Sequence, residues 1–219
     1  LGTRRKGLIV YNVLTKKIWT PYKDIKEANI IHALEYDKAS NCMWIASYST
    51  GLHQYNFADS SLKHIQRDDA DINAMHASLI NDLTLDGKNI WAATIEGGLA
   101  KCSRVVGEKK VISYDVTNGL RDNIVFSVAA ADGNVFFGTT KGIGVIGADG
   151  IIKTFLNKHT GLPFSSFQQS IATLSQGYIA TAVDNQLYSF STKSILQQSN
   201  ATILIDQIIL NDSILINSS

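Results

Sequence analysis

The feature that most constrains the fold of this chain is a stretch of 19 residues, 81–99, that recurs along the sequence. It reads NDLTLDGKNIWAATIEGGL, which is an alternating run, an Asp-Gly turn, a second run ending in Trp-Ala-Ala-Thr, and a Gly-Gly-Leu exit. Taken alone, this pattern predicts one β-hairpin and the start of a third strand. Because versions of it return at a regular interval, the whole chain is predicted to be a repeat protein.

The repeats are aligned by a hydroxyl residue that closes the second strand of each unit. These residues are separated by 44, 47, 45 and 42 residues, a period typical of propellers, in which each unit is a four-stranded blade. Apolar residues alternate with period two, and no long stretch has the 3.6-residue period that helical repeats of similar length require. The aligned residues are Thr3, Ser47, Thr94, Thr139 and Thr181.

Four short strands are predicted in each complete unit, separated by tight turns such as Asp86-Gly87 and Asp132-Gly133. The predicted strands are 30–36, 42–47, 52–57 and 62–66 in the second unit, 80–85, 89–94, 99–103 and 110–114 in the third, and 124–131, 135–139, 143–146 and 151–155 in the fourth. The predicted fold class is therefore all-β: a β-propeller fragment of about four full blades preceded by a half-blade, over residues 1–200.

The tail, residues 201–219, lacks the Trp-bearing strand and the Gly-Leu exit of the repeats. Its apolar runs flank Asn211-Asp212 and resemble a hairpin. Two interpretations stay open at this point: the tail pairs with the N-terminal half-blade and closes a five-bladed ring, or it begins a different module and leaves the propeller as an open arc.

The connections between units are longer and do not repeat, at about 21–29, 67–78, 117–123 and 158–167. In a propeller such linkers lie together on one face around the central channel, and loops on a rigid scaffold commonly carry binding residues. Polar side chains with an aromatic neighbour suit a sugar ligand. The candidate ligand-binding residues are therefore Arg67, Asp69, Asp71, Asn73, His76, Arg121, Asp122, Asn123, Phe164 and Gln168.

The repeated aromatic and hydroxyl positions are predicted to be structural. An aromatic residue present in every unit is expected to pack between blades rather than to stack on a sugar, and Trp91 is therefore predicted to be mostly buried. The hydroxyl residues are expected to satisfy main-chain groups at strand ends, since no base is placed beside them to activate a nucleophile. These positions are Trp44, Trp91, Phe136 and Tyr178, and Ser47, Thr94, Thr139 and Thr181.

Composition and residue spacing argue against several classes of function. A net charge of +1 over 219 residues gives no electrostatic basis for nucleic-acid binding, and no apolar run approaches the roughly 18–20 residues that cross a bilayer. Cys42 and Cys102 are predicted to be buried free thiols. The five histidines share no metal-ligand spacing, so no metal, cofactor or catalytic site is predicted. They are His32, His53, His64, His76 and His159.

The pattern NDLTLDGKNIWAATIEGGL resembles the two-component regulator propeller repeat, and NGLRDNIVFSVAAADGNVFFGTTKGIGVI and TGLPFSSFQQSIATLSQGYIATAVDNQLYSF are looser versions of it. The later units depart from it at Phe136 and Tyr178, where the repeat has Trp, and at Gln186, where it has Gly. The tail, ATILIDQIILNDSI, resembles the opening of the β-sandwich (Y_Y_Y) module that follows such propellers. This resemblance favours the open arc.

The resemblance implies a non-enzymatic segment of the periplasmic sensor region of a hybrid two-component system, of the kind common in gut Bacteroidetes. It implies an oligosaccharide ligand, contacts with the second propeller and the sandwich of the same chain, a homodimeric receptor, and no membrane contact by this segment. Histidine kinase activity would lie elsewhere in the full-length protein. The alternative function is a structural or protein-interaction propeller without a small-molecule site of its own.

Overall fold

A computed structural model describes residues 1–21, 30–65, 75, 77–104, 111–162, 170–174, 177–183, 186–197, 207–210 and 213–217. The first half of the described chain contains β1 (Val10–Tyr11), β2 (Ile18–Trp19), β3 (Ile31–Asp37), β4 (Cys42–Ser47), β5 (Gly51–Asn56), β6 (Leu62–Ile65), β7 (Ile80–Asp86), β8 (Asn89–Thr94), β9 (Leu99–Ser103) and β10 (Val111–Tyr114). The second half contains β11 (Val125–Ala131), β12 (Asn134–Thr139), β13 (Gly142–Ile146), β14 (Ile152–Leu156), a 3₁₀ turn (Lys158–Thr160), β15 (Ile171–Leu174), β16 (Tyr178–Val183), β17 (Gln186–Ser191), α1 (Thr192–Gln197), β18 (Gln207–Leu210) and β19 (Ser213–Asn217).

The strands pair in sequence order into successive antiparallel sheets. Among the described residues, three sheets have four strands, β3 to β6, β7 to β10 and β11 to β14, and one has three, β15 to β17. The first strands of these sheets lie side by side, β3 next to β7, β7 next to β11 and β11 next to β15. Sheets that place their first strands together in this way form the blades of a β-propeller, and the predicted fold class is confirmed.

The repeated aromatic position lies between consecutive sheets in the first three complete units, whereas Tyr178, in the last unit, is 44% exposed and departs from the expectation. Trp91 is 2% exposed, and it packs among Val125, Val128 and Phe137 of the following sheet. Trp44 packs in the same way against the β7–β10 sheet, and Phe136 against the β15–β17 sheet. Burial of these large side chains stabilises the order of the sheets along the chain.

The hydroxyl that closes each second strand is hydrogen-bonded to a main-chain group or to a side chain close to it. Thr94 Oγ1 donates to the Gly98 carbonyl over 2.8 Å, and Thr181 Oγ1 donates to the Ser170 carbonyl over 2.9 Å. Ser47 Oγ instead accepts hydrogen bonds from Thr50. Each of these side chains is buried, so its bond satisfies a polar group that burial would otherwise leave unpaired.

The glycine of the Gly-Leu motif lies against the outermost strand of its own sheet. Gly98 has φ +73°, and a Cβ added to it would lie 2.0 Å from the Tyr114 carbonyl oxygen. At Gly142 the equivalent distance, to the Leu156 carbonyl oxygen, is 1.9 Å. The motif therefore requires glycine wherever a fourth strand crosses at this position.

The last blade differs from the expected four strands. Where the described chain leaves β17 it forms α1, whose Ile195 is buried against residues of the β11–β14 sheet, including Leu156. Thr192, at the start of α1, donates to Asp132 Oδ2 over 2.6 Å. Gln186 replaces the motif glycine in this sheet. Among the described strands β17 pairs only with β16, so no fourth strand lies where the glycine would be needed.

The two ends of the chain form short hairpins. β1 pairs with β2, as the predicted half-blade requires, and β18 pairs with β19. Within the described strands neither hairpin pairs with the other. The assignment of residues 201–219 to a sandwich module stays a prediction.

A buried ion pair joins the first two complete blades. The Arg104 guanidinium donates to both carboxylate oxygens of Asp37, over 2.9 and 2.8 Å, and Asp37 is 1% exposed. Burial alone would raise the pKa of Asp37, but hydrogen bonds from Ser40 and Ala39 and the charge of Arg104 lower it. This bidentate geometry is the one in which an ion pair fixes the relative position of two elements.

Cys42 and Cys102 are buried free thiols, and burial raises the pKa of Cys102 to about 12. In the part of the chain that the structure describes, no helix has the length and apolar character needed to span a bilayer.

Candidate functional site

The linkers enter the sheets at the same edge as the turns between second and third strands. Tyr48 N–H donates to the Ile30 carbonyl over 2.9 Å, and Ile95 N–H donates to the Leu79 carbonyl over 3.0 Å. We call this edge the linker face. It consists of the starts of β3, β7, β11 and β15, the turns 47–51, 94–98 and 139–142, and the linker 115–124.

Most of the predicted ligand residues lie outside the described residues, and they stay predictions. They are Arg67, Asp69, Asp71, Asn73, His76, Phe164 and Gln168.

The other three predicted residues lie together in the linker 115–124, where two of them organise the chain. Asp122 accepts hydrogen bonds from Ile124 N–H, over 3.1 Å, and from the Thr140 hydroxyl. Asn123 Oδ1 accepts from Val116 N–H over 2.9 Å. Both side chains are half-buried. Asp122 holds the linker against the turn 139–142 through Thr140, whereas the side chain of Asn123 bonds within the linker itself.

Arg121 is the exposed member of the three. Its guanidinium carbon lies 4.8 Å from the centre of the Phe155 ring, a cation–π arrangement. Its carbonyl accepts a hydrogen bond from Lys141 Nζ over 3.0 Å, so two cationic side chains share this part of the linker face. The arrangement presents donors to solvent and suits hydroxyl or carboxylate oxygens of a ligand.

A second cluster on the linker face was not selected from the sequence. The rings of His32 and Tyr48 lie 5.1 Å apart, and His32 Nδ1 is 3.2 Å from Asn81 Oδ1. Tyr48 is 43% exposed and His32 is also exposed. An aromatic face next to an imidazole and an amide can contact the C–H face of a sugar ring and bond its hydroxyls.

The sequence did contain a signal for this cluster. His32 and Asn81 are the second residues of β3 and β7, and Tyr48 directly follows the closing hydroxyl of its unit. The same positions hold unrelated residues in other units, for example Phe126 and Ile95. A position that varies from blade to blade on a binding face is a better candidate than one that repeats.

Two carboxyl groups with raised pKa values lie on the first strands of neighbouring sheets, Asp82 on β7 and Glu35 on β3. Asp82 accepts hydrogen bonds from Leu83 N–H over 2.9 Å and from Val128 N–H, on β11, over 3.1 Å. Burial raises the pKa of Asp82 to about 6, against these two bonds, which act to lower it. On β3, burial and then the charge of Asp82 raise the pKa of Glu35.

The raised pKa of Asp82 predicts a pH-dependent stability. Between pH 4 and pH 6 the folded protein retains a proton that the unfolded chain releases, so the stabilisation present below pH 4 is lost as the pH rises through about 6. We expect Asp82→Asn to become more stable relative to wild type over this range, by up to roughly 3 kcal/mol. Urea unfolding of both proteins from pH 4 to pH 7 measures the difference.

Asp59→Asn serves as the control because its carboxyl responds in the opposite direction. Hydrogen bonds from Ser61 lower the pKa of Asp59, on the surface, below its usual value of 3.8. As the pH rises, that variant should therefore lose stability relative to wild type mainly below pH 4, and its difference from wild type should be nearly constant from pH 5 to pH 7. A difference between Asp82→Asn and wild type that stays constant from pH 4 to pH 7 would contradict the assignment.

The described residues include no group of three or more His, Cys, Asp or Glu side chains arranged to hold a metal ion. The described part of the linker face carries hydrogen-bond donors, acceptors and the exposed ring of Tyr48.

No protein-family model matches the chain, and no curated protein matches it at a significant level. Several solved structures do match the chain. The extracellular domain of a protein described as the hybrid two-component system BT3049 of B. thetaiotaomicron is 21% identical, with a TM-score of 0.66, over 88% of this chain and 25% of that one. That of BT4673, from the same organism and described in the same way, is 18% identical with a TM-score of 0.66 over 87% of this chain and 29% of that one. The WD40 repeats of RRP9 are 14% identical with a TM-score of 0.60 over 75% of this chain and 49% of that one.

These likenesses identify the fold as a β-propeller fragment. The chain spans only about a quarter of the length of the two extracellular domains.

Proposed function

We propose that this chain is a non-enzymatic segment of the extracytoplasmic, periplasmic sensor region of a two-component signalling protein. The single observation that supports this most is its structural likeness, over 87–88% of its length, to extracellular domains of proteins described as hybrid two-component systems. The regulator-type repeat in its sequence supports the same function independently of that likeness.

The ligand that the linker face fits best is a neutral or acidic oligosaccharide. Tyr48 offers an exposed ring. The His32 ring lies 5.1 Å from the Tyr48 ring, and His32 Nδ1 lies 3.2 Å from Asn81 Oδ1. Arg121 adds an exposed guanidinium on the same face. Sugars present C–H faces and closely spaced hydroxyls, and a carboxylated sugar would add a partner for the guanidinium.

Signal output would depend on a difference in ligand affinity between two arrangements of the receptor. A ligand shifts such an equilibrium only by as much as it binds one arrangement better than the other. In this proposal the propeller contributes binding, and the histidine kinase lies elsewhere in the full-length protein.

Isothermal titration of the intact sensor region against a panel of glycan fragments tests the proposal. We expect one class of oligosaccharide to bind, and Tyr48→Ala or Arg121→Ala to weaken its binding at least about tenfold, equivalent to about 1.4 kcal/mol. The matched control is Tyr36→Ala, because Tyr36 is 49% exposed but lies at the opposite end of β3.

Binding that is unchanged in both linker-face variants would exclude this face as the site. No binding by any glycan of the panel would overturn the oligosaccharide proposal and favour the structural or protein-interaction role.

A further inference from the structure

The charged side chains of the β11–β14 sheet and the linkers beside it differ between the two ends of the sheet. At the end opposite the linker face both carboxylates have partners, since Asp132 accepts from the Thr192 hydroxyl over 2.6 Å and Asp149 forms an ion pair with Lys153. At the linker-face end three cations are exposed, and none forms an ion pair with a carboxylate in the part of the chain that the structure describes. They are Arg121, Lys141 and Lys158.

The carboxylates nearest to these cations in the sequence accept hydrogen bonds from their own surroundings. Asp122 accepts from Ile124 N–H over 3.1 Å and from the Thr140 hydroxyl. Asp115 accepts from the N–H and the hydroxyl of Thr117, over 2.8 and 2.5 Å. The carboxylates therefore hold the linker together, and the cations keep their donors for solvent or a ligand.

The Arg121 guanidinium rests on a fixed support. Its central carbon lies 4.8 Å from the centre of the Phe155 ring, and that ring is 7% exposed in the cluster that contains Trp91 and Phe137. No described residue accepts a hydrogen bond from the guanidinium. Because stacking restricts the side chain in advance, less conformational entropy is lost when its free N–H groups bind a ligand.

Lys141 is placed beside Arg121 by the turn 139–142. Its main-chain N–H donates to Thr139 Oγ1 over 3.1 Å, and its Nζ donates to the Arg121 carbonyl over 3.0 Å. An ammonium group has three N–H donors, so two remain for other acceptors. A planar carboxylate can accept two parallel hydrogen bonds from a guanidinium, and an ammonium close to it adds a second positive charge.

We propose that Arg121 and Lys141 form an anion subsite that binds the carboxylate of a uronic acid, so that the linker face selects acidic over neutral oligosaccharides. This inference rests on the proposed function and narrows the class of its ligand. A neutral sugar could accept hydrogen bonds from the same donors, but it would leave the two positive charges without a counter-charge.

Isothermal titration of the intact sensor region against matched pairs of trisaccharides tests the subsite. The acidic probes are trimers of galacturonic, glucuronic and mannuronic acid, and each neutral probe is the same trimer with its carboxylates reduced to hydroxymethyl groups. We expect one acidic trimer to bind at least about tenfold more tightly than its neutral counterpart. This preference should shrink as the salt concentration rises from about 50 to about 500 mM, because counter-ions screen exposed charges.

Variants locate the preference on the linker face. Arg121→Ala should reduce the ratio of acidic to neutral affinity at least about fivefold, whereas Arg121→Lys, which keeps the charge and loses the planar fork, should retain part of it. The matched control is Lys88→Ala. Lys88 is also exposed, but it lies between β7 and β8 at the end of the sheet opposite the linker face, so this variant should keep the wild-type ratio.

The outcomes separate this inference from the proposed function. Neutral trimers that bind as tightly as acidic ones would overturn the anion subsite and leave an oligosaccharide sensor standing. A loss of preference as large in Lys88→Ala as in Arg121→Ala would also overturn it, since the effect would then come from overall charge. If no trimer binds, the subsite is overturned, and binding of other glycans by the same protein decides the fate of the proposed function.

Discussion

Gly98→Ala is expected to destabilise the protein by about 3 kcal/mol, since it combines a left-handed backbone with a steric clash. Gly98 has φ +73°, and its added Cβ would lie 2.0 Å from the Tyr114 carbonyl oxygen, which is main chain and has little freedom to move. Relief of the clash requires β10 to shift away from β9. Urea unfolding followed by circular dichroism measures the loss.

Gly87→Ala separates the two causes. Gly87 also has positive φ, +53°, but an added Cβ would meet no atom within 4 Å. That variant should lose only about 1 kcal/mol, the cost of the left-handed backbone. Equal losses at Gly98 and Gly87 would show that the contact with the outermost strand is not the reason for the motif glycine.

Trp91→Ala is expected to cost about 3–5 kcal/mol, the range for removing a large aromatic side chain from a packed core. The indole fills the space between the β7–β10 and β11–β14 sheets and is 2% exposed. Its ring nitrogen has no hydrogen-bond partner among the described residues, so the loss comes from packing and from the contact of Lys101 Nζ, 5.2 Å from the centre of the ring. Denaturant unfolding monitored at two probes tests both the size of the loss and whether the two sheets still unfold together.

Trp19→Ala is the matched control for the same chemical change. Trp19 is 39% exposed, and it makes one long hydrogen bond, 3.4 Å, from Nε1 to the Tyr55 hydroxyl. Its removal should cost about 1 kcal/mol. Comparable losses from the two variants would contradict the assignment of Trp91 as a residue that holds blades together.

The blades could be predicted from the sequence because several local signals agree. Alternation with period two, Asp-Gly turns and a repeat of 42–47 residues all favour four-stranded units, and the strands of the first three complete units lie close to their predicted ranges. Each of these signals depends only on residues that are close in the sequence, so it can be recognised without knowledge of the tertiary contacts.

The last blade could not be predicted in the same detail. The loss of the motif glycine at Gln186 is visible in the sequence, but its meaning is not. Only the structure reveals that the glycine is needed where a carbonyl of a fourth strand comes close, as at Gly98 and Gly142. Likewise, nothing local indicates that Ile195 would pack from a helix against a neighbouring sheet.

The candidate site was predicted only in part. The linker with Arg121 was selected because it does not repeat, whereas Tyr48, His32 and Asn81 lie on strand ends and a turn, far apart in the sequence. They come together because β3 pairs with β4 and lies beside β7. Variation between units marks each of these positions in the sequence, but their proximity to one another is a product of sheet packing and has no local signal.

Hydrogen exchange of the intact sensor region, with and without the oligosaccharide that binds most tightly, tests most directly whether the repeated residues form the scaffold and the linker face binds the ligand. The predicted result is protection on ligand addition in residues 47–51 and 115–124, with no change in the buried strand β8 that carries Trp91. Protection confined to β8 and its equivalents, with the linker face unaffected, would contradict it.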